Sequence, residues 1–206
     1  RRDFFKVCGA VAGAMGSRYA APARASGLPG TLESDVNPLT NMVARALQAK
    51  PRLPIIWLEF QDCTGCSESL TRSQSPSLVD LVLNKISVEY HETLAAAAGY
   101  QIEENKQSIM KQYAGKYVLV VEGSIPSGEG GAFCTIGGRS ALDLLKEAAA
   151  GAAAVIATGN CATFGGLPKA NPNPTGAKGV WELITNKPVV NISGSTIKSA
   201  PLACSS

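Results

Sequence analysis

Leu53-Pro54-Ile55-Ile56-Trp57-Leu58-Glu59-Phe60-Gln61-Asp62-Cys63-Thr64-Gly65-Cys66 decides how the rest of the chain is read. Its first eight residues form an apolar, β-branched run of the length of one buried strand. Two thiols separated by two residues follow on the segment leaving that strand. Such a pair is a metal or redox device far more often than a packing feature.

Outward from this stretch the chain alternates. Ser77-Leu78-Val79-Asp80 is a capping signal that opens a helix to about Asn84. A second strand is expected over 86–90. Ile102, Ile109, Met110 and Tyr113 share one face of a helix spanning 100–113. Lys116 to Val121 is the third strand, and a helix over 139–150 carries Leu142, Leu145 and Ala149 on one face. The fourth strand covers 152–157, a Gly/Asn/Pro-rich loop follows, and a helix near 178–185 leads to a fifth strand over 187–192. About five strands alternating with helices predict an α/β fold: a flavodoxin-like, doubly wound parallel sheet. Residues 26–52, interrupted by Gly27, Pro29, Gly30 and Pro38, read as a lead-in containing a short helix from about Leu39 to Ala49.

The formal charge of +3 is concentrated at the front. Residues 1–25 contain Arg1, Arg2, Lys6, Arg18 and Arg24 against the single acid Asp3, leaving 14 of the 19 basic and 15 of the 16 acidic groups in the remainder. A nearly neutral body offers no field for nucleic acid or an anionic membrane surface, and the expectation is no nucleic-acid partner. Arg1-Arg2-Asp3-Phe4-Phe5-Lys6, a mild apolar stretch from Val7 to Met15 and the small-x-small site Ala23-Arg24-Ala25 read as a twin-arginine export signal over 1–25. The expected location is periplasmic, and Cys8 is expected to leave with the signal.

In sheets of this kind the ligand site lies beyond the carboxyl ends of the strands. Cys63 and Cys66 follow the first strand, Glu122 the third, and Cys161 the fourth, with Ser195 after the fifth. Three thiols accompanied by glycines suit an iron–sulfur cluster, which takes soft thiolate ligands and backbone N–H donors. Spacing leaves zinc, a structural disulfide and a thioredoxin-like dithiol of Cys63 and Cys66 open as alternatives. The dithiol reading makes the chain a periplasmic thiol–disulfide or flavodoxin-like redox protein. His91, the only histidine, is expected at the surface rather than as a ligand.

Several ordered stretches carry a resemblance: the twin-arginine leader, Leu58 to Arg72, His91-Glu92-Thr93-Leu94-Ala95-Ala96-Ala97-Ala98-Gly99, and Gly115 to Gly123. Gly130-Gly131-Ala132-Phe133-Cys134, Ala148 to Cys161 and Asn171-Pro172-Asn173-Pro174-Thr175 belong with them. Together they resemble the small, electron-transferring subunit of exported nickel–iron hydrogenases from residue 1 to Gly194. The resemblance implies an oxidoreductase subunit without catalytic residues of its own, whose nickel–iron site lies on a large-subunit partner. It implies a proximal 4Fe–4S cluster held by Cys63, Cys66 and Cys161 in a domain over 53–194. It also implies a membrane cytochrome b or another electron acceptor, with membrane association through the complex. Glu122 and Asp62 become interface or proton-path acids, and Cys134 a buried non-ligand. Gly65 and Gly166 stand where some oxygen-tolerant relatives carry extra cysteines, which implies the ordinary cluster type.

The departure from the family is at Gly194-Ser195-Thr196-Ile197, where a Gly-Cys-Pro-Pro turn with the fourth ligand is expected. Ser195 occupies that ligand's position; a Ser195 alkoxide or a Cys204 thiolate are the available substitutes, and a corner without a protein ligand is favoured over both. Residues 195–206 show no family motif, and the medial and distal clusters have no cysteines to hold them. The expectation is a truncated subunit whose electron relay stops at the proximal cluster.

Overall fold

A computed structural model describes residues 52–193. The export signal, the lead-in segment, Ser195 and Cys204 lie outside the described residues. Five strands form one parallel sheet: β1 Leu53–Glu59, β2 Ile86–His91, β3 Val118–Glu122, β4 Ala154–Thr158 and β5 Val189–Ile192. Their order is β2-β1-β3-β4-β5, the doubly wound arrangement predicted from the alternation. Between them run the helices α1 Gly65–Thr71, α2 Leu78–Asn84, α3 Tyr100–Gln112, α4 Ala141–Gly151, α5 Gly159–Phe164 and α6 Gly166–Lys169.

Period-two alternation divides each strand between two apolar layers. Ile56, Leu58, Leu119, Val121, Val155 and Ala157 point into the larger core, where Ile102 and Ile109 of α3 and Leu144, Leu145 and Ala148 of α4 meet them. Ile55, Trp57, Val118 and Val120 point to the other face, against Leu70 of α1 and Ile86. Both faces are therefore covered, and nothing in β3 reaches solvent. Burying a leucine such as Leu119 on this scale contributes about 2–3 kcal/mol.

The helix starts follow local chemistry. Ser77 Oγ accepts the Asp80 N–H at 3.1 Å, and Ser140 Oγ accepts the Asp143 N–H at 3.1 Å. Each cap is worth about 1 kcal/mol. Ser140 also explains why α4 begins at Ala141 and not at Arg139: Arg139 and Ser140 pair with Thr135 and Ile136 in a small hairpin.

Two expectations change. Residues 178–185 form only a single 3-10 turn, Val180–Glu182. The Glu182 carboxylate is spent on Gly179 N–H and Lys169 Nζ, both at 2.7 Å, and Val180, Trp181, Ile184 and Thr185 are poor helix formers. The segment after β4 is not loop throughout: Cys161 lies on α5, bracketed by Gly159 and Gly165, both with positive φ.

At the carboxyl edge the loops after β1 and β3 are tied together. Gln61 and Ser124 exchange backbone hydrogen bonds at 3.1 and 3.0 Å. Gly123, at φ +88°, makes this crossing feasible, because a Cβ there would sit 2.9 Å from Asp62 Cβ.

Candidate metal centre and its acidic flank

Strand register places the site. Glu59 is paired with Glu122, and Glu122 with Thr158, so the last residues of β1, β3 and β4 stand in a row. The loop after β1 brings Cys63 and then α1 with Cys66; the turn after β4 brings α5 with Cys161. Thr64 takes a left-handed conformation (φ 57°) to turn the chain into α1.

Cys66 is buried, Cys161 half-buried and Cys63 exposed. Cys66 Sγ lies 3.8 Å from Thr158 O, so the CxxC segment is seated directly on the end of β4. Two glycines leave room for sulfur. A Cβ on Gly159 would fall 2.2 Å from Cys66 Sγ, and one on Gly166 2.5 Å from Cys161 Sγ. Burial pushes the Cys161 thiol up, and the neighbouring Cys63 charge pushes it further, while the Leu167 N–H works against both. Cys63 and Cys66 of the CxxC motif and Cys161 of the segment after β4 thus lie at the same sheet edge.

Among the described residues, the group of three or more ligand-type side chains within 4.8 Å of one another is Glu59, Asp62 and Glu122. The three thiols are soft donors of the kind that an iron–sulfur cluster or a zinc ion takes.

Glu122 underlies the corner as an acceptor and not as a ligand. Its Oε1 accepts Cys66 N–H at 2.8 Å; its Oε2 accepts Ser67 N–H at 3.1 Å, Ser67 Oγ–H at 2.6 Å and Trp57 Nε1–H at 3.2 Å. The carboxylate therefore fastens the first turn of α1 to β3 from a position 1% exposed. Ser67 Oγ lies 2.9 Å from His91 Nε2, and His91 Nδ1 lies 3.4 Å from Glu59 Oε2. Glu59 Oε2 also accepts Thr93 N–H at 3.0 Å and Thr93 Oγ–H at 2.6 Å.

His91 corrects the sequence reading: it is buried, not a surface residue, and no periodic signal marks a lone histidine at a strand end. Glu59 was missed because one acid closing an apolar run looks like a strand boundary. Its alignment with Glu122 across the sheet becomes visible only once β1 and β3 are known to be neighbours.

Asp62 accepts Thr64 N–H at 3.3 Å through Oδ1, while its buried Oδ2 has no hydrogen-bond partner. Burial first, then the charges of Glu122 and Glu59, push this acid up to about 6. An open cleft of about 350 Å³ is lined by Glu59, Asp62, Thr64, Glu92, Thr93 and Cys134 among others. The thiols Cys63, Cys66 and Cys161 do not line it, so this cleft lies on the acidic flank and not at the sulfur corner. Burial pushes Glu92 up to about 7. Cys134 packs half-buried against the larger core beside this cleft, and burial raises its thiol.

Comparison with known proteins converges on one group. Residues 63–203 match the family model of the NADH ubiquinone oxidoreductase, 20 Kd subunit, a match that continues past Ser195, beyond the last recognisable motif. The hydrogenase-2 small chain of Escherichia coli (strain K12) is 45% identical over 194 residues, covering 94% of this chain and 47% of that one. The quinone-reactive Ni/Fe-hydrogenase small chain of Wolinella succinogenes is 43% identical over 196 residues, covering 94% of this chain and 50% of that one. The chain thus spans about half the length of the curated relatives it matches. Among solved structures, the NiFeSe hydrogenase from Desulfovibrio vulgaris Hildenborough superposes with a TM-score of 0.68 at 41% identity, covering 70% of this chain and 54% of that one. The Ni-Fe-Se hydrogenase from Desulfomicrobium baculatum gives 0.68 at 32% identity, covering 70% and 56%.

Proposed function

The chain belongs to the family of the NADH ubiquinone oxidoreductase 20 Kd subunit, and we propose that it serves as the electron-transferring small subunit of a nickel–iron hydrogenase. The observation that carries this reading is the sulfur corner: Cys63, Cys66 and Cys161 brought to one strand edge, with Gly159 and Gly166 leaving space at two of the sulfurs.

Cys63, Cys66 and Cys161 would hold the proximal 4Fe–4S cluster, with Ser195 at the fourth ligand's position. Such a cluster supplies one-electron chemistry when bound. The chain's own residues do the rest. Glu122 fixes the Cys66 and Ser67 amides. Burial at the end of β4 keeps water from Cys66. Phe164 and Leu167, exposed next to Cys161, offer apolar contact to a large subunit. Asp62 and Glu122 are acids whose charge reaches the Cys161 thiol. A twin-arginine export route, a periplasmic location and an onward acceptor such as a membrane cytochrome b complete the proposal. Among the described residues no helix is long and apolar enough to cross a membrane. The dithiol alternative gives no role to Cys161 or to the two glycines.

Anaerobic purification of the chain, followed by iron and acid-labile sulfide analysis, tests this reading against the Cys161→Ala variant. About four irons per wild-type chain, falling sharply in the variant, is the expected result. Equal, negligible iron in both, with Cys63 and Cys66 cycling as a dithiol, would replace it with the alternative.

A further inference from the structure

Trp57, Glu122, Ser67, His91, Glu59 and Thr93 form one buried line of hydrogen-bonding groups, and its protons can be counted. The Ser67 hydroxyl has a single proton. Its 2.6 Å contact to Glu122 Oε2, an acceptor already receiving Ser67 N–H and Trp57 Nε1–H, spends that proton there. Toward His91 Nε2, 2.9 Å away, Ser67 Oγ is left only with a lone pair. The imidazole must therefore donate from Nε2, which fixes its tautomer.

The second ring nitrogen then faces Glu59. His91 Nδ1 is 3.4 Å from Glu59 Oε2, and the two side chains are 3% and 7% exposed. A neutral ring with its proton on Nε2 presents a lone pair at Nδ1, directed at an ionised carboxylate in a place water does not reach. That contact is repulsive, and burial magnifies it. His91 Nδ1 and Glu59 Oε1 otherwise have no hydrogen-bond partner. One additional proton converts the contact into an attraction. We infer that Glu59 and His91 hold one shared proton at neutral pH and together constitute a buried proton-binding site with no net charge.

The surrounding charges agree. Glu122 faces the pair from β3, Asp62 from the loop after β1, and Glu92 from the end of β2. Lys106 of α3 is engaged with Glu103 at 2.6 Å, and among the described residues no lysine or arginine pairs with Glu59. Three carboxylates within 4.8 Å of one another without a cation form a costly arrangement. A proton held on the Glu59 side removes one of those charges. Burial, the largest influence, pushes His91 down against the pull of Glu59 and Glu122, and a pair without net charge meets that penalty. The site stands on this hydrogen-bond count alone. Only its consequence rests on the proposed function: negative charge arriving at the thiol corner would tighten the proton's binding.

His91 is the chain's only histidine, so histidine-nitrogen labelling yields the two resonances of one ring. The full chain, prepared free of iron to keep lines sharp, is followed by nitrogen–proton correlation from about pH 6 to about pH 8, the window in which an ordinary histidine titrates. The expected spectrum shows a protonated Nε2 throughout, no ring titration, and a strongly deshielded bridging proton at Nδ1. Glu59→Gln should abolish that bridging proton and leave a neutral ring still protonated at Nε2. Three results would overturn the inference: a wild-type ring titrating near an ordinary midpoint of about 6.5, a bare Nε2, or a bridging signal unchanged by Glu59→Gln. The wild-type series alone decides the matter if that variant does not fold. Iron analysis is a separate readout, so failure here leaves the cluster reading standing, and the converse also holds.

Discussion

Two regions meet at Glu122 and solve opposite problems. On the β4 side stand three thiols, with glycines clearing space beside two of them. On the β2 side, Glu59, Asp62 and Glu122 are drawn together to within 4.8 Å, with His91 behind them. Soft thiolate donors suit a transition-metal group. Crowding hard acids away from water makes a place where protons bind unusually tightly. The same register row, Glu59–Glu122–Thr158, produces both: what differs is the side chain that each strand end presents and the loop that follows it.

The largest effect is expected where the regions are joined. Glu122→Ala removes the acceptor of four hydrogen bonds, all donated by the buried residues Cys66, Ser67 and Trp57. A loss of about 3–4 kcal/mol in denaturant unfolding is predicted, together with loss of iron. Gly159→Ala should follow closely. It forces a Cβ to 2.2 Å from Cys66 Sγ and an L-residue into φ +79°, costing about 2–3 kcal/mol and lowering iron content.

These positions also show how much was legible in the sequence. The doubly wound parallel sheet followed from alternation, and the rule that strand ends hold ligands pointed to Cys63, Cys66 and Cys161. Helix α5 did not follow, because Gly159-Asn160-Cys161-Ala162-Thr163-Phe164 is too short and too glycine-bounded for periodicity to register. Of the acidic flank, Asp62 and Glu122 were legible as acids at strand ends, and Glu59 was not. Glu59 and Glu122 are 63 positions apart, and the pairing of β1 with β3 makes neighbours of them. Burial of His91 depends on packing against Trp57, with ring centroids 5.2 Å apart, which no local pattern encodes. Ser195, which the sequence reading set at the missing corner, lies outside the described residues.

A smaller effect sharpens the acidic side. Glu92, raised from 4.5 to about 7, binds its proton more tightly in the folded chain than in the unfolded one. Wild-type stability should therefore fall as pH rises from the unfolded value through about 7, and be indifferent to this group below about pH 4. Glu92→Gln should flatten that slope and stabilise the chain above neutrality. Allowing for solvent screening at a partly exposed site, the gain is about 1–2 kcal/mol, read by urea unfolding at a series of pH values.

The smallest stability effect is expected at Cys161→Ser. The side chain is half-buried and has nearly the same shape, so unfolding should shift by less than about 1 kcal/mol. Its iron content should nevertheless collapse. A residue that matters for the metal and hardly for the fold is what separates a ligand from packing.

The most direct measurement is X-ray absorption at the iron and zinc edges of the anaerobically purified full chain. Iron in a sulfur shell, with neighbouring iron at short range, is the result that the proposed function predicts. Mononuclear zinc in a sulfur shell, or no metal with Cys63 and Cys66 joined in a disulfide, would contradict the assignment of this corner to an iron–sulfur cluster.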